Sequence, residues 1–490
     1  MSLRRSLLAV SLVFLALPAP GCTCGCGNGA TAADDAGPDV LVDASTADMS
    51  VLDTSRADTG GPNDAPGEGG LGSLPPTAGN SGAFGVVTVG TKQKMYLPTR
   101  IAGDAGHAVI AVVDIGVAGM GVTGAPALIT TIDLGTTNYA TTTGGDPTAI
   151  VAASTDSTDV WFIDPTTDTL VKHINLDATY GVSGFSGSVG YVTGIAADPE
   201  MHIAILSVWN GFALADLTTH SITTVIQAPP SENFGYDSLH RIIYAPFYDC
   251  AGAVLNGTMH PSACNTPMTP LDAGLASNRG QVMLDGLSLI TLSDNTVYTY
   301  ENTAAMNPDA PVGPEPDSAG VDTVHQMVVV PSELGGFQNV IDFSMASFDQ
   351  ANKTVSAPLR VITGVPFDGV AVEPTSRIAL FADEAGTDIA VVDMPAASMG
   401  SQAWVQGTMP ALPGGAGAFH HLGDPHSLAV TTLLSSGRPV GLVVDGNRQW
   451  VGRVDLETLA ALEMGDASVT ADAAQMSAAI TYLDATTIEQ

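Results

Sequence analysis

The sequence predicts an all-β protein, a ring of repeated four-stranded sheets of the β-propeller type, and three observations predict it. From Gly85 onward, apolar runs rich in Val, Ile and Thr alternate with Gly, Asp, Asn or Pro, and no sustained helical periodicity precedes Leu456. The composition agrees: 45% hydrophobic and only 13% charged residues, with 54 Gly and 31 Pro, suit short strands cut by turns. The third observation is internal repetition. Gly194-Ile195-Ala196-Ala197-Asp198-Pro199, then 203–206 and 212–217, align with Gly369-Val370-Ala371-Val372-Glu373-Pro374, 378–381 and 389–394.

In chain order, residues 1–21 read as an export signal. Arg4 and Arg5 precede an apolar run over 7–17 that is too short to span a bilayer. Ala19-Pro20-Gly21-Cys22 is similar to a bacterial lipobox, although Ala19 stands where Leu is usual, so Cys22 is the expected lipidation site. Residues 22–83 should form a lipidated N-terminus and a disordered acidic linker. The stretch from Ala30 to Gly82 has no aromatic residue, and Asp34, Asp39, Asp43, Asp48, Asp53 and Asp58 recur along it. The propeller is expected over 84–490.

Within that span an apolar residue followed by an acid recurs at Asp133, Asp164, Asp216, Glu301, Asp349, Asp393 and Asp455, read as the end of a third strand where the acid caps a turn. These seven instances imply seven units. Segments 169–176 and 221–227 supply a fourth strand. Sharing 85–490 among seven gives about 58 residues per unit, longer than the usual 40 to 50, which leaves eight blades or seven with insertions open. The span 233–280 does not reduce to one clean blade. Strands are also expected at 84–89 and 479–483, with ring closure by mixing N- and C-terminal strands in one blade. Residues 456–462 read as a helical turn or a last outer strand.

Ser157-Thr158-Asp159-Val160-Trp161-Phe162-Ile163-Asp164-Pro165-Thr166-Thr167-Asp168-Thr169-Leu170-Val171 resembles the third-to-fourth-strand pattern of the YVTN-type repeat propellers. The likeness covers most of 95–460 and is strongest at 157–227 and 364–394. It implies blades around a central channel, the usual place for a ligand.

With 15 Lys+Arg against 50 Asp+Glu, the net charge is −35, which excludes phosphate-backbone binding and so nucleic acid. The five cysteines form two groups. Cys250 and Cys264 flank a Gly/Asn/Pro-rich stretch and, in an exported chain, are expected to form a disulfide. Cys24 and Cys26 remain undecided among pairing, acylation and free thiols. Gly119-Met120-Gly121-Val122-Thr123-Gly124 matches a dinucleotide fingerprint but precedes a strand-like run rather than a helix, so a loop is expected. No nucleophile elbow, zincin, P-loop or haem-attachment motif occurs.

One repeat register places Thr193, Phe234, Arg279, His325, Asp368 and His426 at the start of successive innermost strands. On that register Arg279, His325, Asp368 and His426 converge at the channel mouth as ligand-binding residues. Histidine, carboxylate and histidine are a reasonable set for a divalent metal, with His325, Asp368 and His426 as ligands; the alternative is a polar rim with no ligand. His420 and His421 lie in the same histidine-rich stretch as His426.

The functional expectation is a monomeric cell-envelope propeller, lipid-anchored to the bacterial outer membrane, that binds an envelope protein or carbohydrate without catalysis. The alternative is a metal-dependent hydrolase or lactonase at the channel mouth, using a metal-activated water. A quinone or haem oxidoreductase would need ligands that the sequence does not place.

Overall fold

A computed structural model of the chain describes residues 84–102, 106–116, 126–154, 157–176, 192–208, 211–229, 231, 233–247, 286–301, 312, 316, 318–332, 337–363, 367, 369–373, 375–382, 388–394, 404–408, 428–445, 450–462 and 469–483. The chain divides into two units, Met1–Glu68 and Gly69–Gln490, and every described residue belongs to the second.

Seven antiparallel four-stranded blades follow one another along the chain, each built from its innermost strand outward. Blade I is β1 (Gly85–Val89), β2 (Lys92–Ala102), β3 (Ala108–Asp114) and β4 (Ala127–Asp133). Blade II is β5 (Thr142–Gly145), β6 (Ile150–Ala153), β7 (Asp159–Asp164) and β8 (Thr169–Asn175). Blade III is β9 (Val192–Asp198), β10 (Ile203–Val208), β11 (Gly211–Asp216) and β12 (Ser221–Gln227). Blade IV is β13 (Gly235–Asp237), β14 (Ile242–Phe247), β15 (Gly286–Thr291) and β16 (Thr296–Tyr300). Blade V is β17 (Gly320–Asp322), β18 (Met327–Ser332), β19 (Phe337–Asp342) and, after the short strands β20 (Ser347–Asp349) and β21 (Thr354–Ser356), β22 (Leu359–Thr363). Blade VI is β23 (Gly369–Glu373), β24 (Ile378–Ala382), β25 (Asp388–Asp393) and β26 (Trp404–Thr408). Blade VII is β27 (Leu428–Thr432), β28 (Pro439–Asp445), β29 (Trp450–Asp455) and, after α1 (Leu456–Ala460), β30 (Val469–Thr470) and α2 (Ala473–Ala479), β31 (Ile480–Leu483).

The middle strands are apolar at nearly every position because both of their faces are buried. In β3, Ile110 and Val112 pack toward blade II, while Ala111 and Val113 pack toward blade VII. In β10 the same alternation sends Ala204 and Leu206 to blade II, and Ile203 and Ile205 to blade IV. Seven hydrophobic clusters result, one at each interface between adjacent blades, so the ring has seven cores and no single centre. Period-2 strands usually read as alternating apolar and polar; here alternation only decides which neighbour a side chain meets.

Glycines at the innermost strands let the blades approach. A Cβ on Gly144 would lie 2.5 Å from Ile195 of blade III, and one on Gly320 would lie 2.8 Å from Val372 of blade VI.

Several expectations change. The ring is not closed by a mixed blade: β1 belongs to blade I and β31 to blade VII, and the seam between them is held by side chains. Gln93 donates to the Thr432 carbonyl and accepts from the Leu434 amide, each at 2.7 Å, and Arg453 donates to the Ile115 carbonyl at 3.0 Å. The recurring acids end a third strand at Asp164, Asp216, Asp393 and Asp455, whereas Asp133 ends the fourth strand β4, Glu301 follows β16, and Asp349 ends β20. Asp114 and Asp342 hold the third-strand position in blades I and V. The blade number is seven nonetheless, and the extra length lies in insertions. One is 248–285, between β14 and β15, which accounts for the irregular span after Asn233. Two others cross to a neighbour: β21 pairs in parallel with β16 of blade IV, and β30 with β26 of blade VI. Residues 456–460 are helical.

Candidate functional site: the ring of first turns

Up-and-down blades have two ends. First-to-second and third-to-fourth strand connections lie at one, the turn end; second-to-third and fourth-to-first connections lie at the other, the loop end. At the turn end the innermost strands of blades III to VI close on an acid, Asp198, Asp237, Asp322 and Glu373, and Asp146 directly follows β5 in blade II. All five are buried.

Each carboxylate accepts backbone N–H groups of its own turn. Asp146 takes Thr148 at 2.6 Å, Asp198 takes Glu200 at 2.9 Å, Asp237 takes Leu239 at 3.0 Å, and Glu373 takes Ser376 at 2.6 Å. Most also receive a group from the next blade. His202 reaches back to Asp146 at 2.8 Å, Tyr236 donates to Asp198 at 2.7 Å, Arg377 pairs with Asp322, and Thr432 donates to Glu373 at 2.6 Å. Burial and the bond to Asp198 push the Tyr236 hydroxyl well above its ordinary pKa, so it stays a donor. Blades I and II are fastened differently: Lys94 and Tyr96 both reach Asp168, each at 2.7 Å.

Two of the residues that supply these links, His202 and Arg377, are held by turn geometry. His202, Arg241, Gln326 and Arg377 each immediately precede a second strand and adopt left-handed φ between 52° and 61°. Three imidazoles stand at the first turns of blades III, IV and V. The Nδ1 atoms of His202, His240 and His325 lie 2.8, 2.8 and 3.1 Å from oxygens of Asp146, Asp237 and Asp322. A carboxylate only accepts, so Nδ1 carries the proton and, in the neutral ring, Nε2 keeps its lone pair.

Of the residues expected at a channel mouth, His325 is described, and its place differs from the register. It sits in the turn after β17, at the end of the innermost strand, because that strand is only three residues long and starts at Gly320. Its ring is bonded to Asp322. Arg279 does not precede an innermost strand: it falls between β14 and β15, and it lies outside the described residues. Asp368 and His426, just before β23 and close before β27, also lie outside them, so the proposed metal set is not seen together. Thr193 and Phe234 do stand at innermost-strand starts, in β9 and just before β13. Cys22, Cys24, Cys26, Cys250, Cys264, His420, His421 and the Gly119–Gly124 motif lie outside the described residues too. The strand β4 begins at Ala127, which leaves no length for a helix after that glycine motif. Among the described residues, no group of three His, Cys, Asp or Glu side chains is arranged to hold a metal ion, and no helix is long and apolar enough to cross a membrane.

Sequence reasoning missed the buried inner-strand acids. The signal was present in the repeat itself: Asp146-Pro147, Asp198-Pro199 and Glu373-Pro374 place an acid before a turn-forming proline.

No protein-family model matches the chain, and no curated protein does either. Among solved structures, a hydrazine synthase of Kuenenia stuttgartiensis is similar over 80% of this chain and 99% of that one, at 10% sequence identity and a TM-score of 0.43. Likeness at that level carries no inference about chemistry.

Proposed function

We propose that the chain is a non-catalytic binding propeller of the bacterial cell envelope, anchored to the outer membrane by an acylated Cys22 and presenting its ring to an envelope protein or carbohydrate. The leader, the small residues before Cys22, the acidic linker and the YVTN-like repeat support the location and the class. The observation that carries the non-catalytic reading is the commitment of the turn-end carboxylates: Asp146, Asp198, Asp237, Asp322 and Glu373 are buried and hydrogen-bonded to their own turns. A general base or a metal ligand needs a lone pair aimed at a reactant, and these are spent on fastening blades.

The test is capture by the full mature chain. Chemical cross-linking in envelope membranes and a glycan array should return a specific partner, and mass spectrometry should find a modified Cys22 at the N-terminus. Metal-dependent turnover of an ester or lactone panel would overturn the reading in favour of the hydrolase.

A further inference from the structure

The first turns of three consecutive blades share a feature that the fastening does not use. Met201, Leu239 and Val324 occupy the tips of the turns in blades III, IV and V and are 43%, 66% and 61% exposed. Each is followed by a partly exposed histidine, His202, His240 or His325, tied by Nδ1 to a buried aspartate. Blades III and IV are joined at this level by Arg241, which lies 3.6 Å from both Asp198 and the exposed Glu200. We propose that this crescent docks a basic, apolar polypeptide segment of a partner protein. The proposal rests on the binding-protein reading above and names the partner's chemistry.

Three arguments select that occupant. Turn tips are ordinarily polar, and large apolar side chains repeated at the first turns of three neighbouring blades mark that end of the ring as a surface for an apolar partner. The Glu200 carboxylate, 78% exposed and with Arg241 at 3.6 Å on one side, presents acceptor oxygens next to the Met201 tip, which suits N–H donors of Lys, Arg or an extended backbone. The net charge of −35 steers a basic partner toward the chain and opposes both an anionic bilayer and a second copy.

The experiment uses the full mature chain and two fluorescent peptides, one alternating Lys and Leu and one alternating Lys and Ser, titrated by anisotropy at moderate and high salt. The Lys/Leu peptide should bind more tightly and keep part of its affinity at high salt. The double change Leu239→Ser with Val324→Ser, at exposed positions, should weaken it by roughly tenfold, a loss of one 1.4 kcal/mol step, and leave the Lys/Ser peptide unaffected. Equal affinity of the variant and the parent for the Lys/Leu peptide would overturn the crescent, as would vesicle binding or self-association that the same variant abolishes. Partner capture that survives the variant would sink only the crescent, whereas metal-dependent ester turnover would sink only the non-catalytic reading.

Discussion

Arg377 sits at φ 61°, a conformation that costs a non-glycine residue on the order of 1 kcal/mol, and its guanidinium pairs with the fully buried Asp322. Replacing it by glycine relieves the backbone but leaves the buried Asp322 carboxylate with only the His325 ring and its own turn as partners, and the loss of a buried pair's cation costs up to about 3–5 kcal/mol. The second effect wins, so Arg377→Gly should lower the urea midpoint, and Asp322→Ala should lower it as well; an unchanged midpoint in both would show that the pair contributes nothing. The surface turn acids act through pH instead. Hydrogen bonds from Thr166 hold the Asp164 carboxyl below its ordinary pKa, and those from Thr219 do the same for Asp216. A carboxyl lowered on folding contributes stability that is complete above its unfolded pKa of about 3.9 and is lost as pH falls through the folded value. This contribution should therefore be constant near neutrality and be lost below pH of about 4, and replacing Thr166 by Ala, which removes its hydroxyl bond to Asp164, should make that acid loss shallower in pH-dependent urea titrations.

At the scale of elements, every innermost strand except β27 carries a glycine, and at Gly144, Gly235 and Gly320 that glycine lies against the next blade. A methyl group on Gly320 would meet Val372 at 2.8 Å and Val370 at 3.1 Å, both of them side-chain contacts. Gly320→Ala should then cost about 1–3 kcal/mol by overpacking, and the double variant with Val372→Ala should cost less than the sum of the two single changes, since the cavity made by one receives the methyl of the other. Strict additivity in the denaturation cycle would show that blades V and VI do not meet there. The strands themselves were largely legible: 203–206 and 378–381 fall within β10 and β24, and 212–217 and 389–394 overrun the ends of β11 and β25 by one residue, because β-branched runs between turn residues have one reading. The third-strand acid was legible only in part, because an apolar–acid pair ends any strand that enters a turn and does not say which strand it ends.

For the whole molecule, the seam between blades VII and I differs in kind from an exchanged strand, since among the described residues no backbone ladder crosses it. Its polar links centre on Gln93, which is buried and bridges Thr432 and Leu434. Gln93→Ala removes two hydrogen bonds and leaves their backbone partners unpaired, a loss of about 2 kcal/mol. Hydrogen exchange should then rise first at β1 and β27; protection lost first at another interface would place the weakest seam elsewhere.

By itself the sequence determined the all-β class, the repeated four-stranded unit and the acidic character, and narrowed the blades to seven or eight, because strand periodicity, turn residues and charge are local properties that a chain displays in order. Tertiary structure alone decided which neighbour each apolar side chain meets, how the ring closes, and where the histidines stand. The case of His325 shows why. A shift of a few residues in the repeat register carries a side chain from the start of a three-residue strand to its end, and so from one end of the ring to the other. The residues that meet there, Asp322 with Arg377 and Asp146 with His202, are 55 and 56 positions apart, a separation that only the packing of one blade on the next turns into a contact.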